Sequence, residues 1–337
     1  MTKNERIQAF IKLGNWLLNP DEDTLNQIQT IKNINPWYTA ENILKQFQAF
    51  GKNLTLEKLQ AWTAPYQVQE TQKIVGLVLA GNIPLVGLHD IISTLILGFK
   101  VQIKLSSDDA GLTTILLKKL TDIEPNLSTQ INIVDKLADF DLIIATGSNN
   151  TARYFEYYFG KKPHIIRKNR NAIAVLTGNE TTEELAQLGN DIFDYFGLGC
   201  RSVSKIFLPE NYHIEKFFES IEHFKTISDH YKYNNNYDFN KSIYLVNGEK
   251  HYDNGFLLLK NDERIASPLA VVYYQEYKDI KQIEEYINQH TEEIQCVTST
   301  ISLNIDVPLF SLGKSQSPEL DDYADGVNIL EFLEKNQ

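Results

Sequence analysis

Cys200 is the side chain of this sequence best suited to covalent chemistry. It stands in "FGLGCRSVSKIFLP" (196–209), after two glycines and directly before alternating apolar and polar residues that are typical of a strand. A thiolate in such a place can attack a carbonyl carbon and form a thioester. The alternative is a small apolar side chain packed in a core, which is the commoner fate of a lone cysteine in an α/β protein.

The turn "AGNIPLVG" (80–87) offers a second polar group next to an apolar run. Gly81 would allow a sharp bend, and Pro84 would suit the first turn of a following helix. The side-chain amide of Asn82 would then be able to point into a cleft. The alternative is that Asn82 caps the helix that follows.

The segment "KLSSDD" (104–109) ends another apolar run with a lysine and two hydroxyls. Lys104, Ser106 and Ser107 could bind the ribose of a nucleotide. They could also do no more than cap the next helix.

The segment "LIIATGSNNTARYF" (142–155) leads from a buried strand through Gly147 and Ser148 into a helix. The amide groups and the dipole at a helix N-terminus favour a phosphate, so this turn predicts a phosphate contact. Ser148 as a plain helix cap is the alternative.

The elements that must position these turns form an alternating pattern. Residues 1–70 have helical spacing and form a helical lead-in. Short β-branched runs follow, separated by segments long enough for helices, which indicates a parallel sheet covered on both faces and an α/β fold. The predicted strands of this part are 74–80, 101–105, 131–134, 142–146 and 172–176.

The second half of the sequence continues this alternation. The predicted helices and strands are a helix in "TTEELAQLGNDIFDYFG" (181–197), a strand at 202–208, a helix in 211–228, a strand at 269–275, a helix at 279–289 and a strand in 294–302. The polar run "YKYNNNYDFN" (231–240) is expected to be an exposed loop. Asn-Gly pairs at 247–248 and 254–255 flank "IYLV" and "FLLL" and favour a hairpin between those two runs.

The composition excludes several classes of protein. The chain has 337 residues, of which 42% are hydrophobic, which is enough to bury a full core. Its 32 basic and 44 acidic residues give a net charge of −12, which would repel a nucleic-acid backbone. There are only two cysteines, and the N-terminus lacks the apolar run of a secretory signal, so we expect a reducing, cytoplasmic setting.

Two further patterns argue against a membrane span and a metal centre. The most apolar stretch (73–99) is interrupted near its middle by polar residues and a proline, so we expect a strand, a turn and a helix there and no integral membrane segment. No histidines and carboxylates show metal-ligand spacing, so no metal is predicted. Cys296 and His89 are expected to be packing residues, and the basic run 161–170 is expected to be a solvated face.

The ordered series of turns resembles the aldehyde dehydrogenase superfamily. In that superfamily an asparagine turn supplies the oxyanion donor, a lysine turn holds the cofactor ribose, a Gly-Ser turn lies by the cofactor phosphate, and a later segment carries the nucleophilic cysteine. Six segments are most similar to its fatty acyl-CoA reductase branch, the LuxC family known from bacterial luminescence. They are "AGNIPLVGL", "KLSSDD", "ATGSNNTARYF", "FGLGCRSVSKIFLP", "SPLAVVYYQEY" and "SQSPELDDYADGVNILEFL".

This resemblance implies a role for each turn. Cys200 matches the nucleophile and Asn82 the oxyanion donor. The cofactor contacts that it implies are Lys104, Ser106, Ser107, Gly147 and Ser148. It also implies an aldehyde dehydrogenase-like fold, with a helical lead-in and parallel-sheet dinucleotide-binding domain in 1–175 and an α/β catalytic thiol domain with a C-terminal tail in 176–337.

Three departures from the superfamily bear on the reaction. Hydrolytic members use a glutamate to activate water, but the comparable stretch here has no carboxylate from His164 to Val175, so transfer to or from coenzyme A is the expected exchange. Ser107 stands where a glutamate often binds the ribose, which would let a 2′-phosphate approach. A third glutamate of the superfamily is unmatched in "RIASP", where Arg264 stands with Glu263 beside it.

The resemblance therefore predicts an NAD(P)H-dependent reductase that converts a fatty acyl-CoA to the fatty aldehyde through a cysteine thioester and releases coenzyme A. NADPH is the expected cofactor, with NADH as the alternative, and a homo-oligomer is implied. One competing function is a cysteine acyltransferase or thioesterase that acts on acyl-CoA without nicotinamide. The other is a nucleotide-binding protein that has lost turnover.

Overall fold

The computed structural model describes all 337 residues, and they form two compact units. The first unit comprises Met1–Asn169, Glu319–Tyr323 and Val327–Gln337. The second comprises Arg170–Pro318 and Ala324–Gly326. The C-terminal residues 319–337 therefore contribute to both units.

The regular elements follow each other in the alternating order that the sequence predicts. The helices are α1 Lys3–Leu18, α2 Glu22–Ile31, α3 Ala40–Asn53, α4 Leu56–Thr63, α5 Leu88–Ile96, α6 Leu112–Ile123, α7 Asn149–Phe159, α8 Thr182–Phe193, α9 Ile214–Ser220, α10 Tyr231–Val246, α11 Ile280–Gln289 and α12 Ile329–Glu334. The strands are β1 Ile74–Val78, β2 Lys100–Lys104, β3 Ile131–Ile133, β4 Leu142–Thr146, β5 His164–Arg167, β6 Asn171–Val175, β7 Val203–Pro209, β8 Tyr252–Asp253, β9 Leu258–Asn261, β10 Val271–Tyr277, β11 Ile294–Ser299 and β12 Leu309–Phe310.

The first unit is built on a five-stranded sheet in the order β3-β2-β1-β4-β5. All of its strand pairs are parallel. The central strands β1 and β4 are almost continuously apolar because helices cover both faces. The four N-terminal helices pack into the same hydrophobic core, as the helical lead-in predicts.

The second unit contains a seven-stranded sheet in the order β12-β11-β6-β7-β10-β9-β8. All pairs are parallel except β8 and β9, which run antiparallel. The predicted α/β fold class is confirmed, with a parallel sheet in the first unit and a mixed sheet in the second. The strand β6, which the sequence analysis counts with the first domain, hydrogen-bonds to β7 and β11 and so belongs to the second unit.

The predicted loop at 231–240 is wrong, because these residues begin the helix α10. Three tyrosines and one asparagine recur at helical spacing and are buried on one face: Tyr233, Tyr237, Asn240 and Tyr244. The intervening asparagines make the segment look like a loop, but aromatic residues three or four positions apart are the pattern of an amphipathic helix.

The structure contains a hairpin in this region, but only the second of its two strands agrees with the prediction. Residues 243–246 end the helix α10, so they cannot be its first strand. The hairpin is instead formed by β8 and β9 around Asn254–Gly255. Here the side chain of Asn254 accepts hydrogen bonds from the amides of Phe256 and Leu257, at 3.2 and 2.8 Å.

The basic run at 161–170 is also different from the prediction of a solvated face. It contains the unpredicted strand β5, and Arg167 at its end is buried. The Arg167 guanidinium makes a bidentate ion pair with Asp90, at 2.7 and 3.0 Å. Lys168 pairs with Glu156 at 2.9 Å and Arg170 with Asp325 at 3.2 Å, so three cations of the run are neutralised within the chain.

The apolar stretch 73–99 forms β1, a turn and α5, as predicted. None of the helices combines the length and the apolar character that crossing a bilayer requires. Cys296 is fully buried in β11, which confirms it as a core residue. His89 is packed between the rings of Trp62 and Tyr323, and its Nε2 lies 2.9 Å from the carbonyl oxygen of Leu320, which confirms a packing role.

Candidate active site

Three of the predicted turns lie at one edge of the first sheet. The strands β2, β1 and β4 are neighbours and parallel, so the turns that follow them all leave from the carboxyl ends of the strands. Ligands of open α/β sheets bind at this edge. The structure therefore brings the Asn82 turn (80–87), the Ser106 turn (105–109) and the Ser148 turn (147–148) to the same side of the first unit.

The Asn82 turn is tied to the Ser106 turn by a close approach. A Cβ atom on Gly81 would lie 2.7 Å from Ser106 Oγ and 3.1 Å from the Cβ of Asp108. A real side chain cannot occupy that position, so only glycine fits. Glycine is needed here for close packing and not, as the sequence analysis expects, for a special backbone bend.

Asn82 does not cap the following helix. The helix α5 begins at Leu88, and its N-cap is Gly87, which provides no side-chain hydrogen bond. Pro84 consequently lies in the turn and not in the first turn of the helix, contrary to the expectation. Asn82 is exposed, and the capping alternative for it is removed.

Tyr38 is a residue of this region that the sequence analysis misses. Its hydroxyl lies 3.1 Å from the carbonyl oxygen of Gly81 and 2.9 Å from that of Ile83, so its one proton is shared between carbonyl oxygens of the residues before and after Asn82. The ring is buried. Burial raises the pKa of Tyr38 far above its usual value, so the hydroxyl keeps the proton that it donates.

The Ser106 turn combines a cap with exposed polar groups. Ser106 Oγ accepts a hydrogen bond from the amide of Asp108 at 3.2 Å and begins a short 3₁₀-helix over Ser107–Asp109. Ser107 is exposed and Lys104 is half-buried, and neither makes a side-chain hydrogen bond or an ion pair within the chain. Lys104 and Ser107 therefore remain available to a ligand, whereas Ser106 has a structural role as well.

The Ser148 turn is a helix cap. Ser148 Oγ accepts from the amide of Thr151 at 3.2 Å and lies 2.9 Å from Thr151 Oγ1. A Cβ atom on Gly147 would lie 2.9 Å from Phe155, so this glycine lets the helix α7 pack against the strand end. The cap leaves the amides of Asn149 and Asn150 without intrahelical acceptors, which is the arrangement that binds a phosphate.

The Cys200 turn (199–202) belongs to the second unit, and the residues before it have an unusual backbone conformation. Tyr195, Phe196 and Gly197 have φ angles of 54°, 59° and 77°, so three consecutive residues are left-handed. Left-handed backbone costs a large side chain on the order of 1 kcal/mol and persists only where the surrounding structure enforces it. Cys200 itself is half-buried, in contrast to Cys296.

Hydrogen bonds close the Cys200 turn. The amide of Ser202 donates to the carbonyl oxygen of Gly199 at 3.0 Å, and the amide of Gly199 donates back to Ser202 Oγ at 3.2 Å. The strand β7 begins directly afterwards, at Val203. A cavity of about 50 Å³ lies against the turn, and it is too small for a substrate.

The segment around Arg264 is held by a buried lysine. Lys205 Nζ, inside β7, donates to the carbonyl oxygens of Glu263 and Asp262, at 2.6 and 3.3 Å. Burial lowers the pKa of Lys205 to about 8. Arg264 pairs with Asp262 at 2.7 Å and lies over the ring of Tyr273, so its charge is engaged inside the second unit.

No group of three or more histidine, cysteine, aspartate or glutamate side chains is placed to hold a metal ion. The polar groups described above are hydroxyls, amides and one lysine ammonium at the edge of the first sheet, and a thiol in the second unit. These groups suit binding of a phosphorylated organic ligand and attack on a carbonyl carbon.

Solved structures with a similar fold are aldehyde dehydrogenases. Aldehyde dehydrogenase 21 from Physcomitrella patens, in complex with the reaction product succinate, has a TM-score of 0.71 and 15% identity over 100% of this chain and 84% of its own. An NAD-dependent benzaldehyde dehydrogenase from Corynebacterium glutamicum has a TM-score of 0.67 and 14% identity over 92% of this chain and 81% of its own. A Mycobacterium tuberculosis aldehyde dehydrogenase complexed with NAD+ has a TM-score of 0.65 and 12% identity over 93% and 78%.

No curated protein matches the chain. The similar solved structures establish the aldehyde dehydrogenase fold. A family model described as acyl-CoA reductase (LuxC) matches residues 11–223, which is more than half of the sequence and includes all of the candidate site residues. The protein is therefore an oxidoreductase enzyme, and it belongs to the acyl-CoA reductase (LuxC) family.

Proposed function

We propose that the protein reduces a fatty acyl-CoA to the fatty aldehyde through a thioester on Cys200 and releases coenzyme A. The observation that carries the proposal is the half-buried thiol of Cys200 in a hydrogen-bonded turn, within the family match. The only other cysteine is fully buried in a strand. A partly accessible thiol can attack a substrate, whereas a sealed one cannot.

The first half-reaction transfers the acyl group. The Cys200 thiolate attacks the acyl carbonyl carbon, so a carbon–sulfur bond forms and the carbonyl oxygen becomes an oxyanion. The Asn82 amide and the Cys200 backbone amide are the proposed donors to that oxyanion. The bond to the coenzyme A sulfur then breaks, and coenzyme A leaves as a thiolate that takes up a proton.

The second half-reaction reduces the enzyme thioester. A bound reduced nicotinamide supplies the hydride for this step. The carbonyl oxygen becomes an alkoxide, the bond to the Cys200 sulfur breaks as the carbonyl re-forms, and the free aldehyde leaves. The Cys200 thiolate then takes up a proton, which restores the thiol. An unperturbed thiol is only about 3% ionised at pH 7, so the reaction gains from any contact that favours the thiolate.

Release as an acid is disfavoured because a water-activating carboxylate is missing from β5, β6 and the loop between them. General-base assistance is worth about 10²- to 10⁴-fold, so without it water attacks a thioester slowly. Hydride transfer is then the faster fate of the acyl-enzyme. This absence separates the proposal from the hydrolytic reaction of the wider superfamily.

NADPH is the proposed cofactor, with NADH as the alternative. Lys104 has no ion-pair partner within the chain and Ser107 is exposed, so a cation and a hydroxyl are available for a 2′-phosphate or a ribose. Ser106, Gly147 and Ser148 complete the proposed cofactor-binding set. The neighbouring carboxylate of Asp108 is exposed and would favour ribose hydroxyls over a phosphate, which keeps NADH open.

Small-molecule substrates, a homo-oligomer and a cytoplasmic location remain predictions that follow from the family. The assignment of dinucleotide binding to the first part of the chain and thiol chemistry to the second also remains a proposal. Asn82 belongs to the first unit and Cys200 to the second.

The test mixes the purified protein with palmitoyl-CoA and NADPH and measures cofactor oxidation together with aldehyde. We expect both products in equal amounts, and their loss in Cys200→Ala but not in the matched variant Cys296→Ala. Fatty acid formed without cofactor oxidation would support an acyltransferase or thioesterase instead. Cofactor binding without any turnover would support a nucleotide-binding protein.

A further inference from the structure

Residues 309–318, called the tail below, contact the Cys200 turn through one glutamine. The side-chain Nε2 of Gln316 donates to Ser202 Oγ at 3.1 Å. Ser202 Oγ also accepts from the Gly199 amide at 3.2 Å, so one hydroxyl oxygen receives two donors. Gln316 and Ser202 are only 8% and 4% exposed, and water therefore competes little for these bonds.

Asp191 fixes the part of the tail that carries Gln316. Its carboxylate, at the end of α8, accepts from the amides of Gly313 and Ser315 at 2.6 and 3.0 Å and from Ser315 Oγ at 2.7 Å. Asp191 and Ser315 are fully buried. Gly313 has a φ of 79°, so the tail bends at a position that favours glycine.

A second contact of the tail is made with Arg201 of the same turn. The guanidinium of Arg201, which follows Cys200, lies 5.3 Å from the ring centre of Phe310 in β12. Arg201 is buried, so the cation–π contact is not weakened by solvent. The two residues directly after Cys200 are thus both held by the tail.

We propose that Gln316 is a positioning residue for the nucleophile: through Ser202 it fixes the closed turn that carries Cys200, and Asp191 holds the tail for this purpose. This inference rests on the proposed function, because it assumes that Cys200 is the attacking group. Gln316 acts through Ser202 and does not itself touch the substrate. Displacing a reacting group by about 1 Å can lower a rate by about 10²-fold, so a loosened turn has a measurable cost.

The experiment compares Gln316→Leu, which keeps the size of the side chain but removes its donor, with Gln282→Leu on the exposed face of α11. Both are made in the Cys296→Ala background, so that iodoacetamide reports on Cys200 alone. We expect Gln316→Leu to lower both kcat and the rate of Cys200 alkylation by about ten-fold or more, with the KM for NADPH unchanged. The control variant should match the parent in all three.

A double-mutant cycle separates positioning from general damage. If Gln316 acts through Ser202, then Ser202→Ala and Gln316→Leu together should slow alkylation no more than the slower single variant. Effects that multiply would overturn the inference, and so would an unchanged alkylation rate in Gln316→Leu. The proposed function fails by a different result, which is reductase activity that survives in Cys200→Ala.

Discussion

The Asn82 turn and the Cys200 turn are both held by a polar side chain from a distant part of the chain, but in different ways. Tyr38 lies 43 residues before Gly81 and donates to main-chain carbonyls on both sides of Asn82. Gln316 lies 114 residues after Ser202 and donates to a side-chain hydroxyl. The first support depends only on the path of the backbone, whereas the second also depends on which residue stands at 202.

This difference determines which substitutions disturb the conformation of each turn. The contact of Tyr38 with the Asn82 turn survives a change of Ile83, because every amino acid offers a carbonyl oxygen, whereas Gly81 has to stay glycine for close packing. The Cys200 turn can lose its support through Ser202, Gln316 or Asp191. We therefore expect the turn of the nucleophile to be the more sensitive of the two to substitution.

The largest loss of activity should come from substituting Asn82, the exposed residue of the Asn82 turn. Asn82→Ala removes a proposed oxyanion donor and should lower kcat by about 10²- to 10³-fold while the fold persists. Stopped-flow measurement of the acylation step would check this. Asn235→Ala, an exposed change on α10, serves as the control, and an unchanged kcat in Asn82→Ala would remove the residue from the mechanism.

Tyr38→Phe tests the support of the same turn. It removes the hydroxyl but keeps the buried ring, and it leaves two carbonyl oxygens without their donor. We expect about 1–3 kcal/mol lower unfolding free energy, together with a fall in kcat that is smaller than that of Asn82→Ala. Urea unfolding measures the change in unfolding free energy, and steady-state kinetics measures the change in kcat. Tyr66→Phe is the comparison variant, and equal kcat losses in both tyrosine variants would contradict a special role of Tyr38.

Asp191 makes the support of the Cys200 turn dependent on pH. Burial raises its pKa from 3.8 to about 6, so folding favours the protonated form. Its contribution to stability is fully present below pH 3.8 and is lost as the pH rises through about 6.

The unfolding free energy of the wild type minus that of Asp191→Asn should therefore fall by about 2 kcal/mol between about pH 4 and pH 7 and then level off. Urea unfolding at several pH values measures it. A difference that is flat would show that folding leaves the pKa of Asp191 unchanged, and one that rises with pH would show that folding lowers it; either would contradict the prediction.

The smallest effect is expected at Lys104, which precedes the Ser106 turn. Lys104→Ala should raise the KM for NADPH about ten-fold and change the KM for NADH less, because a charge-assisted hydrogen bond to a 2′-phosphate is lost. Lys118→Ala on α6 is a matched lysine control. Equal effects on the two cofactors would place Lys104 at the part of the dinucleotide that they share.

The strands and the turns after them could be predicted from the sequence because their signals are local. Runs such as 142–146 combine β-branched residues with a Gly-Ser turn, and the structure places a strand and a helix cap there. The helix α10 is missed because its four asparagines make the segment look polar and loop-like, which hides the helical spacing of its buried tyrosines.

The supports of the candidate site could not be predicted in the same way. A tyrosine at 38 or a glutamine at 316 has no local pattern that indicates its partner, because the hydrogen bond depends on the folded chain. The paired state of Arg167 is hidden for the same reason, since Asp90 lies 77 residues away. Side chains that act at a distance need the fold before they can be assigned.

Lys205 has a consequence for how this enzyme can change over evolution. Its ammonium group donates hydrogen bonds to the main-chain carbonyl oxygens of residues 262 and 263. Every amino acid at these two positions would offer the same carbonyl oxygen. Mutations at these two positions can therefore alter the charge and the shape of the loop surface while its anchor persists. The loop is a place where new ligand preferences could arise without rebuilding the protein beneath it.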